Sequence, residues 1–241
     1  MSTFAKLIAT ELRLFLRDRA MVFFVIGLPL VLVVVFGTLA HPSTDHDPML
    51  SFLPAAALSV GLAGLSLNTV PGILATYREK GILRRMSATP MPPSRLLLAE
   101  LVIAMGAATV TAVLVIVVGG AGFGFRLPQA PLALVVAFVL GSLALFSAGL
   151  VLAALAPSGR AAGAVGSLLF TLSIFAGGVF VPRETLPPVL SSISAYTPMG
   201  ATMDAIRGAW TGTWASPAQL AVMAGYAVVL GAVAARTFRW E

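Results

Sequence analysis

Long apolar runs with almost no charged residues alternate along this chain with short polar segments. Six runs reach the length of about 20 residues that an α-helix needs to cross a bilayer, and they cover residues 20–40, 52–75, 96–118, 132–155, 161–180 and 217–235. Because this pattern extends over the whole chain, we predict an all-α integral membrane protein with six transmembrane helices. These helices form a single domain over residues 1–241.

The first 19 residues are amphipathic rather than apolar. Apolar residues recur at the three- and four-residue spacing of one helical face, and charged residues lie mostly on the other face: Phe4, Leu7, Ile8, Leu12 and Phe15 against Lys6, Glu11, Arg13, Arg17 and Asp18. This pattern is typical of a helix that lies in the membrane interface, which we predict at residues 2–19. The alternative is a basic flank that only orients the first span.

The segment between the fifth and sixth runs has a helical periodicity of its own, broken by prolines. Apolar residues recur at three- and four-residue spacing after Pro182 and again after Pro198, which predicts two short external helices within residues 183–211. A further membrane span here would be short and would carry Asp204 and Arg207. We expect re-entrant helices, because irregular backbone is tolerated at membrane depth where protein or water covers it. The alternative is a helical hairpin on the lipid headgroups.

Residues 76–95 form a charged island between two apolar runs and hold five of the fifteen basic residues of the chain. Thr76 and Glu79 have the spacing of a capping box, in which each side chain accepts a hydrogen bond from the other residue's amide. The pair therefore predicts a new cytoplasmic helix after a break at the preceding Pro-Gly dipeptide. We expect this helix at residues 77–89, because the residue before Pro90 disfavours helical geometry. The alternative is a solvated loop whose charges only set the orientation.

Composition and charge support the membrane assignment. The chain is 59% hydrophobic and 10% charged, whereas an ordinary soluble domain has about 25% charged residues. The net charge of +6 does not indicate nucleic-acid binding, because the basic residues lie at the ends of apolar runs rather than on one polar surface. With six spans, twelve of the fifteen basic residues fall on the side of the amino terminus. Since Lys and Arg are enriched on the cytoplasmic side, both termini are predicted to be cytoplasmic.

Few residues are suited to catalysis. The chain has no cysteine, and neither Lys6 nor Lys80 lies in the Gly-rich context of an ATP-binding P-loop. His41 and His46 share an acidic loop after the first span, but a flexible loop offers no preorganised metal geometry. We therefore expect no enzyme activity, no metal site and no cofactor bound by this chain, and leave open whether that loop binds a metal.

Only a few polar or aromatic residues within the spans are candidates for solute contact. Glu100 is the one acidic residue near the body of a span, and we expect it to reach toward the basic island rather than to couple ion movement. Asn68 offers a polar group, and Phe24, Phe170 and Phe175 offer apolar ones. The alternatives are hydrogen bonding between helices for the asparagine and packing or lipid contact for the aromatic rings.

Two stretches of sequence resemble those of a known family. The first is residues 77–90, YREKGILRRMSATP, directly after the second run. The second is residues 177–182, GGVFVP, followed by Leu186, Pro187, Ile193, Pro198 and Arg207. Together with the six runs and the amphipathic amino terminus, these stretches resemble type-2 ATP-binding-cassette (ABC) exporter permeases over essentially the whole chain.

The resemblance implies an assembly and a role for each motif. Permeases of this family are dimers of six-span units, and each unit engages a separate ATPase subunit that binds ATP and Mg²⁺. The matching island residues would form a coupling helix against the ATPase: Tyr77, Arg78, Glu79, Lys80, Gly81, Leu83, Arg84, Arg85, Thr89 and Pro90. The external helices would shape an outward gate at Phe180, Pro182, Leu186, Pro187, Pro198 and Arg207. Substrate would pass between two copies along the first, second and fifth spans, with contacts at Phe24, Asn68, Phe170 and Phe175.

The predicted function is therefore that of an ABC exporter permease, which moves an amphipathic or hydrophobic substrate such as a drug, lipid or glycoconjugate outward. The short loop at residues 41–51 indicates the compact branch of the family. The expected partners are a cytoplasmic ATPase, a second copy or a sister permease, and the lipid of a bacterial inner membrane. The alternatives are an ion-coupled secondary transporter, a membrane enzyme and a non-transporting anchor. The identity of the substrate and the choice between homodimer and heterodimer stay open.

Overall fold

A computed structural model describes residues 3–39, 49–82, 94–180 and 187–237, and every regular element in these ranges is helical. The all-α prediction is therefore confirmed. The α-helices are α1 Thr3–Arg17, α2 Arg19–Val22, α3 Leu28–Leu39, α4 Met49–Ala63, α5 Val70–Glu79, α6 Ser94–Phe123, α7 Pro131–Leu155, α8 Gly159–Ala176, α9 Pro188–Ala195, α10 Pro198–Trp210 and α11 Pro217–Thr237. Two π-helical turns continue the first two spans: π1 Phe23–Gly27 joins α2 to α3, and π2 Gly64–Thr69 joins α4 to α5.

Five helical segments are long and apolar enough to cross a membrane: Ser51–Glu79, Leu98–Phe123, Pro131–Leu155, Gly159–Ala176 and Pro217–Thr237. They correspond to the second through sixth apolar runs of the sequence, and the chain is thus a multi-pass membrane protein. The first run corresponds to the shorter apolar helix Phe23–Leu39, which falls below the usual length of about 20 residues. A sixth crossing stays a prediction.

The second span is the central helix of the bundle. In its most apolar window 78% of the residues are buried inside the protein, against 11% for the sixth span and 17% for the fifth. The second span packs against α7 and α8 on one side and against α3 and α6 on another. The second span is therefore surrounded by protein, whereas the fifth and sixth spans leave apolar faces uncovered.

Glycines on the neighbouring helices allow the second span to be surrounded so closely. A Cβ atom on Gly149 of α7 would lie 1.8 Å from the carbonyl oxygen of Ser66, and one on Gly166 of α8 would lie 2.2 Å from that of Leu67. Any other residue would push these helices apart, so small residues set the spacing here, as is common in helix packing within membranes.

The two π-helical turns have a common cause in the sequence. Pro29 follows π1 and Pro71 follows π2, and proline has no N–H to donate to the carbonyl four residues before it. For Pro29 that carbonyl belongs to Val25, and it lies 3.2 Å from Thr111 Oγ1, whose hydroxyl donates to it or to the Ala107 carbonyl of its own helix at 2.9 Å. Widened turns and substitute donors let a helix pass a proline without ending.

The predicted break at the Pro-Gly dipeptide of the second span is therefore wrong. The helix α5 runs through Gly72 and ends at Glu79, so residues 77–79 continue the second span instead of opening the separate coupling helix expected at 77–89. Residues 83–89 of that predicted helix lie outside the described residues. The physical reason is the widened turn π2, which accommodates Pro71 before the α-helical geometry resumes.

The two external helices differ in their surroundings. α10 is buried between α4 and α7 over most of its length, whereas α9 has the exposed side chains Val189 and Ile193. The indole N–H of Trp210, at the end of α10, donates to the carbonyl oxygen of Arg126 at 2.9 Å. α10 is thus covered by protein over most of its length, and its re-entrance into the membrane stays a prediction.

Candidate functional site

A cavity of about 740 Å³ lies between the amino-terminal helix, the helix of the first apolar run, and the second and fifth spans. Along the second span it extends from Gly64 to Tyr77, a distance of about 20 Å at 1.5 Å per residue. Its described lining residues are Glu11, Leu14, Phe15, Asp18, Met21, Phe24, Leu28, Gly64, Asn68, Thr69, Gly72, Ile73, Thr76, Tyr77, Glu100, Gly159, Ser167 and Phe170. The cavity is open to the surroundings of the protein, so it is a groove in this single chain and not a closed chamber.

One end of the cavity lies where the two π-helical turns contact each other. Phe24 belongs to π1, and Gly64 and Asn68 belong to π2. The prolines that follow these turns therefore determine the backbone shape of the two cavity walls. Such turns are frequent at functional sites, since they alter the direction of side chains within an otherwise regular helix.

Polar and aromatic groups both line the end of the cavity between the two π-helical turns. The Ser167 hydroxyl of α8 donates to the Asn68 amide oxygen at 3.4 Å, which links the fifth span to the second. Phe24 and Phe170 supply the apolar surface, and Phe24 is half exposed. The structure thus brings together three of the four residues that the sequence suggested for solute contact. The fourth, Phe175, packs instead against Phe180, with ring centroids 5.3 Å apart.

The polar end of the cavity holds two carboxyl groups and a tyrosine from three different helices. The Tyr77 hydroxyl of α5 donates to Glu11 Oε2 of α1 at 2.7 Å. Glu100 of α6 is only 6% exposed and lies against Glu11, within reach of a hydrogen bond. The amino-terminal helix is therefore attached to the second and third spans through one acidic side chain.

The capping box expected in the charged island does not form. The Thr76 hydroxyl donates to the Gly72 carbonyl at 2.7 Å, within its own helix, and Glu79 Oε2 accepts from the backbone N–H of Gly159 at 2.9 Å. Both residues instead contact the start of α8. Glu79 does so through this hydrogen bond, and Thr76 packs so closely that a Cβ atom on Gly159 would lie 2.0 Å from Thr76 Oγ1. The acidic side chain caps a helix, but one that lies 80 residues further along the chain.

Arg78 makes a matching contact with the preceding helix. Its guanidinium donates to the carbonyl oxygen of Ala154 at 2.7 Å and to that of Ala156. These carbonyls belong to the carboxyl-terminal end of α7, where backbone acceptors have no partner within the helix. Adjacent residues of the island thus bind both sides of the α7–α8 turn, residues 156–158.

The rest of the island lies only partly within the described residues. Lys80 follows the last residue of α5, and Gly81 has a φ of +63° while its N–H donates to the Arg78 carbonyl at 2.9 Å. Glycine is favoured where a helix ends in this left-handed conformation. Leu83, Arg84, Arg85, Thr89 and Pro90, the remaining residues of the predicted coupling set, lie outside the described residues.

The predicted external gate is also described in part. Phe180 lines a small apolar pocket with Phe36 and Phe52, and the guanidinium of Arg207 lies 5.8 Å from the ring centroid of Phe52. Pro187 and Pro198 stand before and at the start of the external helices α9 and α10. Pro182 and Leu186 lie outside the described residues.

Sequence reasoning missed several contacts of the site. Glu11 and Ser167 were not singled out, because their partners Tyr77 and Asn68 are 66 and 99 residues away along the chain. The only local signal was that Glu11 and Asp18 are the acidic residues of a mostly basic amino terminus. In the described part of the chain no three His, Cys, Asp or Glu residues are grouped closely enough to hold a metal ion, and the loop with His41 and His46 lies outside it.

Comparison with known families gives a match over most of the chain. The family model described as ABC2_membrane, ABC-2 type transporter, matches residues 3–210. The matched range contains the cavity, the charged island and both external helices. A comparison with curated proteins finds no match.

Proposed function

The chain belongs to the ABC-2 type transporter family, and from this membership we propose that it is the membrane permease subunit of an exporter. The family implies a membrane component that works with a separate ATP-binding subunit. In our proposal that subunit binds ATP and Mg²⁺ and hydrolyses the ATP, and this chain crosses a bacterial inner membrane six times with both termini in the cytoplasm.

The cavity between the first, second and fifth spans is the observation that carries this proposal. Its volume of about 740 Å³ lies within the range of about 300–1,000 Å³ that is usual for small-molecule sites. Its walls combine the rings of Phe24 and Phe170 with the polar groups of Asn68 and Ser167. A substrate with one polar and one apolar part, such as a drug, a lipid or a glycoconjugate, matches this lining, and we propose that it moves outward.

A second permease would complete the path. The cavity is not enclosed by this chain, and the helices that border it expose large apolar side chains, namely Phe23, Phe24, Leu168 and Leu172. A second copy of this chain or a sister permease would cover these faces and close the groove into a channel. This arrangement supports a dimer with two half-pathways that face each other.

The proposal gives the island and the external helices separate roles. The island would bind the ATPase through Lys80, Gly81, Leu83, Arg84, Arg85, Thr89 and Pro90. Phe180, Pro182, Leu186, Pro187, Pro198 and Arg207 would form the outward gate. The ring contact between Phe175 and Phe180 supports this, because it connects the outer end of the fifth span to the start of the external segment.

Co-purification and ATP hydrolysis test the proposed function. The tagged permease is isolated from its native host in mild detergent, and the complex is reconstituted into liposomes. We expect a P-loop ATPase to co-purify in stoichiometric amount, and its ATPase rate to change when the permease is present. The matched control carries a substitution of the P-loop lysine in the ATPase. A permease that isolates without any ATPase, and that leaves the added ATPase unaffected, would contradict the proposal.

One observation favours the ion-coupled secondary transporter as a second candidate. Glu100 is buried beside Glu11 at the polar end of the cavity, and buried acidic residues in spans often mark proton relays. In liposomes that hold the permease alone, this candidate predicts movement of an amphipathic dye such as ethidium when a pH gradient is imposed. Glu100→Gln would abolish that movement, whereas no movement in the wild type would exclude this candidate for ethidium.

A further inference from the structure

The α7–α8 turn receives two side chains of opposite charge from adjacent positions of the second span. Arg78 donates to the carbonyls of Ala154 and Ala156 at the end of α7, and Glu79 accepts from the Gly159 N–H at the start of α8. The carboxyl end of a helix carries partial negative charge and its amino end partial positive charge. Each side chain therefore meets the helix end that its charge complements.

Close packing holds the same contact in place. Gly159 faces Thr76 without room for a Cβ atom, and the nearest backbone atom on that side is the carbonyl oxygen of Gly72, 3.3 Å from the Cβ position. Further along α8, Gly166 meets the Leu67 carbonyl in the same way. The second and fifth spans thus touch backbone to backbone along the wall of the cavity.

We propose that Arg78 and Glu79 are positioning residues that join the start of the charged island to the end of the fourth span and the start of the fifth. A displacement of the island then moves α8, which forms one wall of the cavity. This inference rests on the proposed function, in which the island receives motion from the ATPase. It differs from the role implied by family resemblance, in which both side chains contact the ATPase.

A fluorescent reporter on the fifth span tests this link without knowledge of the substrate. The chain has no cysteine, so Leu172→Cys, on the face of α8 that the proposed second permease would meet, gives a single site in this chain for an environment-sensitive dye. In the complex with the co-purified ATPase, we expect ATP and vanadate to change the dye emission. Glu79→Ala and Arg78→Ala should each lose this change while the complex still assembles and hydrolyses ATP.

The conservative variant separates the two roles of Glu79. Glu79→Gln keeps an oxygen that accepts the Gly159 N–H, so it should retain the nucleotide response at position 172. If Glu79 instead recognises the ATPase through its charge, Glu79→Gln fails as Glu79→Ala does. Arg160→Ala, which removes an exposed charge from the first turn of α8 next to Gly159, is the matched control and should behave as the wild type.

The outcomes distinguish this inference from the proposed function. If no ATPase assembles with the wild type, the proposed function fails first. If Glu79→Ala prevents assembly, or keeps the full nucleotide response, the positioning role is wrong. Should Glu79→Ala fold poorly, Arg78→Lys provides the second variant, since a single ammonium lacks the planar fork of arginine. A full response in Arg78→Lys together with Arg78→Ala would overturn the inference.

Discussion

Gly149→Ala offers a direct test of how closely the fourth span packs on the second. The added Cβ atom would lie 1.8 Å from the Ser66 carbonyl oxygen, whereas real Cβ atoms essentially never come within 3.0 Å of another heavy atom. The two helices must therefore separate by roughly 1.2 Å. The obstruction is backbone and not a flexible side chain, so no rotamer change relieves it.

The magnitude follows from two opposing effects. Overpacking costs about 1–3 kcal/mol, and we take the upper end because a backbone atom obstructs the methyl group. Replacing glycine by alanine within a helix is favourable by about 1 kcal/mol. The net destabilisation is then about 2 kcal/mol, which for a chain of this size lowers the apparent Tm by about 4–8 °C.

Thermal unfolding in detergent, followed by size-exclusion chromatography of heated samples, measures this shift. The matched control is Gly225→Ala on α11, where no atom lies within 4 Å of the new Cβ position. It should keep or raise the apparent Tm, because only the helix propensity changes. If Gly149→Ala is as stable as Gly225→Ala, the close approach of the fourth and second spans is not as described.

Three further predictions concern single hydrogen bonds. Thr111→Val removes the donor to the Val25 carbonyl and should cost about 1–3 kcal/mol of stability. The loss should be much smaller in a Pro29→Ala background, which restores the helical N–H that donates to Val25. Equal losses in the two backgrounds of this double-mutant cycle would contradict the idea that the Thr111 hydroxyl replaces the N–H that proline lacks. Tyr77→Phe removes the hydrogen bond to Glu11 and should increase the hydrogen exchange of the α1 amides, with unchanged exchange as the contrary result. Trp210→Phe removes the indole donor to Arg126 and should lower stability by about 0.5–1.5 kcal/mol from the lost bond alone, measured by apparent Tm; a Tm at the wild-type value would show that this bond contributes nothing.

The sequence predicted the class of fold well because its evidence is local. Apolar runs of span length depend on nothing outside each segment. The family resemblance is equally local, because residues 77–90 and 177–182 carry it as continuous stretches of sequence. The family match over residues 3–210 confirms it.

The geometry of the site could not be read from the sequence because it depends on partners far along the chain. Thr76 and Glu79 have capping-box spacing, yet their side chains bond to Gly72 and Gly159. A local pattern cannot show that another helix end competes for the same carboxylate. Likewise the sequence at Pro71 and Gly72 predicts a helix break. The widened turn π2 that accommodates Pro71 forms within the packed bundle, and the local sequence does not show it.

Some parts of the prediction were recoverable in principle. The glycines at positions 149 and 166 lie within apolar runs and Gly159 lies just before one, and small residues in spans are a known sign of close helix contact. What the sequence does not state is which helix each glycine meets. Only the structure pairs them with Ser66, Thr76 and Leu67.

The central claim is that ATP hydrolysed by a partner subunit drives movement of the cavity in this chain. The most direct measurement uses Ser167→Cys, the only cysteine in that variant, at a position that lines the cavity. Its labelling rate with a membrane-permeant maleimide is followed in sealed vesicles that hold the permease and its ATPase. The account predicts that ATP with vanadate changes the rate and that an imposed pH gradient alone does not. A rate that responds to the pH gradient and is unaffected by ATP would contradict it.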